Sequence, residues 1–238
     1  MPLAHQAVNN LLAALPLNDY QRVLASLEPV TLHFGDVLYQ FDKPIHHVYF
    51  PTNSQVSLLT LTEGHQALVV SMVGHEGMLG IPLALGVNDS PVCALVQGAG
   101  MAWRMTSEHF HDEFQLNLLL QRNVHRYIHE LMVELAQTAA CNRFHHVEAR
   151  LARWLLMMRD RVRSNKLHLT QDLLGHMLGV RRVGVTQAAG ALRERKLISY
   201  SRGEISILDG PGLEAAACSC YRINKCIHDQ PQPKTCVG

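Results

Sequence analysis

Arg181, Arg182, Val183, Thr186 and Gln187 gather at the front of one helical pattern, and four of the five carry hydrogen-bond chemistry. Arginine presents paired donors that match the acceptors on a guanine edge. Glutamine suits adenine, and valine can meet only a thymine methyl. Threonine and further arginines suit phosphate oxygens, which set register without reporting sequence. Catalytic chemistry has no such focus. A nucleophile, a base and an orienting group cannot be picked out together. A Walker phosphate loop and an HExxH pair are absent from the sequence. An enzyme is not expected.

The residues that must position this cluster are TQDLLGHMLGVRRVGVTQAAGALRERK, 170–196. Thr170 stands in the N-cap position before Gln171, and a first helix should end near Leu178. Gly179 then falls where a tight turn needs positive φ. Gly175 falls where two helices touch and only a small side chain fits. On the second helix Val185 and Ala188 face inward, which leaves Arg181, Arg182, Val183, Gly184, Thr186 and Gln187 outward. This register predicts a helix-turn-helix whose second helix enters a major groove. The run from Leu197 to Ile207 follows, two β-prone segments around Arg202-Gly203, and predicts the wing of a winged helix.

Charge is distributed accordingly. The 238 residues carry a net charge of +1, with 47% hydrophobic and 17% charged residues, a globular balance. Residues 1–140 hold 5 Lys/Arg and 12 Asp/Glu, a balance of −7. Residues 141–208 hold 13 Lys/Arg and 5 Asp/Glu, a balance of +8. A basic segment coinciding with a helix-turn-helix is the footprint of a phosphate-binding face. No run approaches the apolar length of a membrane span, and the N-terminus lacks a basic leader, so no membrane partner and a cytoplasmic location are expected. The cysteines are then expected as free thiols. Cys218, Cys220, Cys226 and Cys236 crowd the tail as C-x-C-x5-C-x9-C, a poor match to zinc spacings, and no metal site is assigned. The pairs His125/His129, His145/His146 and His109/His111 read as ordinary side chains.

Toward the N-terminus, two short helical patterns cover Val8–Leu15 and Tyr20–Leu27, the second capped by Asn18. From Val30 to Met105, short β-prone runs alternate with turns: VTLHF, VLYQF, IHHVYF, QVSLLTL, QALVVSMV, VCALVQ and MAWRM. Their spacing predicts an antiparallel barrel or sandwich. A glycine-punctuated insert, GHEGMLGIPLALGVNDSP, lies between Gly74 and Pro91, with a helical pattern from Gly77 to Leu85. Thr106 and Ser107 cap a short helix, and a long one runs from Gln115 to about Ala140. There Val124, Ile128, Leu131 and Leu135 form one apolar stripe, with His125, His129, Met132, Ala136 and Ala139 beside it. A helix apolar on two sides needs two partners, its own β-domain and the same helix of a second subunit, which predicts a homodimer. Residues 141–146 read as a hinge. A further helix follows, with Leu151, Trp154, Leu155 and Met158 inward and Glu148, Arg150, Arg153, Arg159 and Asp160 largely outward. The domains are thus 1–114, 115–140 and 141–238, in an α+β chain whose last residues, 229–238, should fray.

This order resembles the Crp/Fnr superfamily of bacterial transcription regulators over essentially the whole chain. The resemblance is sharpest in RLARWLLMMRDR (150–161), LTQDLLGHMLGVRRVGVTQAAGALRERKLISYSRGEISILD (169–209) and LEAAACSCY (213–221). It implies an N-terminal cyclic-nucleotide-binding-like β-roll, a long dimerisation helix and a C-terminal winged helix-turn-helix. It also implies an operator in double-stranded DNA, a small-molecule effector and, for an activator, RNA polymerase as partner. In the family's cyclic-nucleotide sensors a Gly-Glu-x-Gly box holds the ribose, and an Arg-Ser pair neutralises the phosphate. The corresponding positions here are Gly77-Met78-Leu79-Gly80 and Asp89-Ser90, with Glu76 nearby. Glutamate has become methionine and arginine has become an acid, so ordinary cAMP binding is not expected and the effector stays unidentified; the alternatives are a regulator that binds cAMP or cGMP and a metal or thiol redox sensor. The iron–sulfur sensors of the family need N-terminal cysteines, and none precedes Cys93. On the DNA side, the family's reading positions fall on Arg182, Val183 and Gln187. Thr170, Arg181, Thr186 and Arg202 suit phosphates. No cofactor is implied.

Overall fold

The computed structural model describes residues 9–61, 67–201 and 203–229. The expectations on Val8, the turn at 62–65, Arg202, Cys236 and the tail from 230 lie outside the described residues. The chain divides into two units, Met1–Leu59 with Met72–His129 and Thr60–Ser71 with Glu130–Gly238.

In the first unit Asn9 starts helix α1 (Asn10–Ala13) by accepting from the amides of Leu11 and Leu12. Its own side-chain amide donates to the carbonyls of Pro51 (3.0 Å) and Gly77 (2.7 Å). One buried side chain thereby joins a helix start to two distant segments. Helix α2 (Leu17–Ala25) begins after Pro16, not at Asn18. A proline at a helix start forgoes an N–H that would have had no partner there.

The β-prone runs all form strands: β1 (Glu28–Leu32), β2 (Val37–Tyr39), β3 (His47–Pro51), β4 (Gln55–Leu61) and β5 (Ala67–Val73). After helix α3 (Ile81–Ala84) come β6 (Cys93–Gly98) and β7 (Gly100–Thr106). They build two sheets, ordered β1-β7-β3 and β2-β6-β4-β5, a small β-roll. Alternation along β3 places its residues in two cores. Tyr49 joins Leu32, Val56, Ala94, Val96 and Ala102. Val48 and Phe50 face the helical side, with Leu11, Leu12, Val23, Phe110, Leu120, Val124 and Tyr127. Helix α3 is shorter than its sequence pattern, because Gly80 adopts φ +99 immediately before it.

Helix α4 (Ser107–Leu116) is capped by Thr106, and helix α5 (Leu118–Phe144) is separate from it. Asn117 makes the break: it leaves helical geometry, and its Oδ1 accepts from the amides of Leu119 (3.1 Å) and Leu120 (3.0 Å). The expected hinge at 141–146 shrinks to His145 and His146, since nothing in Cys141-Asn142-Arg143-Phe144 interrupts the hydrogen-bond ladder.

In the second unit, helix α6 (Val147–Val162) runs back along the C-terminal half of α5. The outward orientation expected of Arg150 and Arg153 is wrong: they are 6% and 0% exposed, and Arg161 is 6% exposed. The C-terminal half of α5 supplies a partner for each. Arg161 Nη2 reaches Glu134 Oε2 at 2.9 Å, and Ser71 donates to the other carboxylate oxygen at 3.1 Å. Arg153 Nη2 donates to Thr138 Oγ1 (2.9 Å), and Arg150 Nη2 to Asn142 Oδ1 (2.7 Å) and to the Leu178 carbonyl. Beyond α6 come β8 (Lys166–His168), α7 (Gln171–Leu178), α8 (Arg182–Glu194), β9 (Ile198–Ser201), β10 (Glu204–Ile207), α9 (Gly210–Ala216) and α10 (Cys220–Asp229).

Removing one partner of a buried ion pair strands the other charge. Glu134→Ala is expected to destabilise the protein by about 3–5 kcal/mol in urea unfolding, and Glu134→Met combined with Arg161→Met by far less. Equal losses from the two variants would mean that packing, not charge, dominates this seam.

Candidate nucleic-acid interface

Thr170 caps α7 with its hydroxyl 3.2 Å from the Leu173 amide, and α7 ends at Leu178 as its pattern predicts. Gly179 follows with φ +60. A Cβ on Gly175 would lie 3.3 Å from the Val180 carbonyl oxygen, so the close approach there is to the turn, not to the second helix.

Helix α8 then opens with its apolar face sealed. Val185, Ala188, Ala189 and Leu192 are buried, whereas Arg181, Arg182, Val183, Thr186 and Gln187 are exposed, Val183 by 67%. The sequence-derived register is therefore the observed one, except that Gly184 is half-buried over Val180. Arg182 Nε donates to Gln171 Oε1 at 2.5 Å, which ties the first exposed arginine of α8 to the start of α7. Thr186 spends its hydroxyl proton on the Arg182 carbonyl at 3.0 Å, leaving its lone pairs outward.

The wing is a three-stranded sheet, β8-β10-β9, because Lys166–His168 pairs with β10. A cleft between helices and wing is lined by Thr170, Gln171, Arg182, Thr186, Tyr200 and Gly203. Tyr200 has its hydroxyl pKa raised, by burial first, with Arg182 opposing and Asp172 assisting. Gln171 and Tyr200 were not singled out in the sequence. Their part in the cleft follows from strand pairing that brings the wing beside α7. An exposed row of donors on α8, flanked by cationic side chains, can hydrogen-bond base edges and phosphates.

Residues 149–216 match the family model described as Crp-like helix-turn-helix domain. The chain is similar to that family in its C-terminal domain. Its fold agrees with solved structures. One is a Crp/Fnr-family transcriptional regulator from Eubacterium rectale, 15% identical, covering 87% of this chain and 97% of that one at a TM-score of 0.67. Another is a Crp/Fnr-family regulator from Thermus thermophilus, 21% identical, covering 80% and 98% at 0.66. FixK2 from Bradyrhizobium japonicum is 13% identical and covers 81% and 98% at 0.66. No curated protein matches the chain in sequence.

The residues of the expected effector box serve the core. Met78 is 1% exposed and lies in the helical-side cluster, with Leu79 in the cluster between the sheets. A Cβ on Gly77 would overlap the Tyr127 ring at 2.1 Å, and one on Gly80 would meet Val48 at 2.6 Å. Glu76 accepts from the Gly74 amide at 3.0 Å, and Ser90 donates to the Val92 carbonyl at 2.7 Å. Glu76, Gly77, Met78, Gly80 and Ser90 are thus engaged in turns and packing. On α5, Val124 and Ile128 pack into the core of the first unit, Leu131 is half-buried, and Leu135 is 37% exposed. Among the described residues, no helix is long and apolar enough to cross a membrane.

Gly179→Ala places a Cβ in the left-handed region and is expected to cost about 1–2 kcal/mol; loss of the Thr170 cap by Thr170→Ala should cost about 1 kcal/mol. Urea titrations of both variants check this, and an unchanged midpoint for Gly179→Ala would show that the turn tolerates another path.

Proposed function

We propose that the chain is a homodimeric, sequence-specific, cytoplasmic transcription regulator that reads double-stranded DNA through α8. The observation that carries this is the exposed row at the front of α8, set on a fully buried opposite face. Arg182 is bidentate to a guanine, Gln187 reads adenine, and Val183 meets a thymine methyl. Thr170, Arg181, Thr186 and Arg202 hold phosphates. Recognition of this kind is binding without catalysis.

The dimer forms along α5. Leu118, His125, His129, Met132, Ala136 and Ala139 are exposed on one side of it, and from His125 to Ala139 they alternate steps of four and three. That alternation supports an a/d seam between two parallel copies. Val124 and Ile128 support the dimer from behind, by holding the helix on its own core. Two copies would then address a two-fold symmetric operator. The β-roll answers to an effector other than cAMP, a reading supported by the burial of Met78 and by the acid at Asp89. Where the regulator activates, RNA polymerase is the further partner.

Selection from a randomised duplex pool at fixed salt, with and without cAMP, tests the whole reading. A palindrome recovered equally under both conditions is expected. A palindrome that needs cAMP would overturn the effector assignment, and sequence-blind binding would overturn the reading helix. Against the selected site, Arg182→Ala is expected to lose about 1–3 kcal/mol of discrimination at one base pair per half-site. Met132→Asp should convert the dimer to a monomer by sedimentation, and an unaltered dimer would remove the seam from the proposal.

A further inference from the structure

Four soft side chains meet where α5 ends. Cys141 and His145 stand one helical turn apart at the end of α5, Cys218 lies in the link after α9, and Cys220 opens α10. Their ligand atoms all lie within 4.8 Å of one another. Cys141 Sγ and Cys218 Sγ are 3.5 Å apart, as are Cys220 Sγ and His145 Nδ1. Tetrahedral bonds of zinc length place two thiolates about 3.8 Å apart, and a thiolate and an imidazole about 3.6 Å apart. We propose that Cys141, His145, Cys218 and Cys220 form a Cys3His site for one zinc ion, which ties the last turns of α5 to the link and helix that follow α9.

Three further observations converge on it. Cys141 and Cys220 are fully buried, Cys218 is 9% exposed and His145 is half-buried, and four protein donors fill a tetrahedral set without an open position, as in a structural site. Gln137 Nε2 lies 3.0 Å from Cys220 Sγ, the N–H to sulfur bond expected around a metal thiolate. The third is charge. Arg150 and Arg153 are buried, and neither has a carboxylate partner among the described residues. Arg153 Nε and Nη1 have no hydrogen-bond partner there. Both guanidiniums act electrostatically on Cys141. Two buried cations without an anion are costly, whereas three thiolates around a divalent ion leave one negative charge beside them. Scaffold contacts hold the donors in place: Tyr221 at the start of α10 donates to Asp160 on α6 at 2.7 Å.

Sequence spacing hid the site. C-x-C at 218–220 matches no usual zinc pair, and the complementary pair, Cys141 with His145, lies 77 residues upstream of Cys218. Cys93 in β6 is a free thiol in the other unit and serves as control. Cys226 lies outside the donor set.

The test uses the full chain, purified under reductant without chelator. Elemental analysis is expected to find about one zinc per chain. The stripped protein should take up one equivalent of cobalt(II), with sulfur-to-cobalt charge-transfer and tetrahedral d–d bands. Cys220→Ser and His145→Ala are each expected to weaken binding more than about 100-fold, beyond the usual loss from an outer-shell change. Cys93→Ser should leave it unaltered, and circular dichroism checks that each variant is folded. Metal-free protein with no saturable cobalt spectrum would overturn the site. So would ligand variants that bind as well as the parent, or acid-labile sulfide with an iron chromophore. None of these readouts depends on DNA, so this proposal and the DNA-reading one fail separately.

Discussion

The second unit depends on the burial of three arginines in the seam between α5 and α6. A guanidinium is costly to bury, and each of these finds at least one oxygen on α5, at Glu134, Thr138 or Asn142. The partners recur every four residues on one helix, so the seam fixes the rotation of α5 about its own axis as well as its distance from α6. Helices α7 and α8 also pack on α6, and Leu151, Leu155, Leu174 and Val185 are all fully buried. An apolar seam of equal volume would have let the helices slide. Directional bonds do not.

The helix-turn-helix was legible because its signals are local. Thr170, Gly179, Val185 and Ala188 take their structural roles from neighbours within a turn or two, and the chain written out already places those neighbours. The strands were legible through their β-prone composition and the regular spacing of turns between them, with ends displaced by a few residues where Pro29 and Pro51 extend β1 and β3. The orientation of Arg150 and Arg153 was not legible. On α6 alone they sit among charged residues, and only a helix returning from earlier in the chain turns their face into an interior. Asn117 was missed for the opposite reason: its effect is local, but a single asparagine inside an apolar run gives no warning that its side chain will replace a backbone partner.

In the β-roll, the residues that a nucleotide would need are given to packing. Tyr127 lies against Gly77 so closely that no side chain fits between them. Asn9 holds the Gly77 carbonyl from the other side. The box is a clamp on the first half of α5, with backbone and ring in contact.

Arg150 has a consequence of another kind. Its one guanidinium grips both Asn142, near the end of α5, and the carbonyl of Leu178, the last residue of α7. The group is planar and stiff, so it behaves as a strut between two helix ends. A twist of α5 that displaces Asn142 must either snap a charge-assisted bond or drag the Leu178 carbonyl with it. Gly179 is the next residue. The mechanical load on the strut is therefore delivered to the corner between α7 and α8, a segment so short that it has little slack to absorb it.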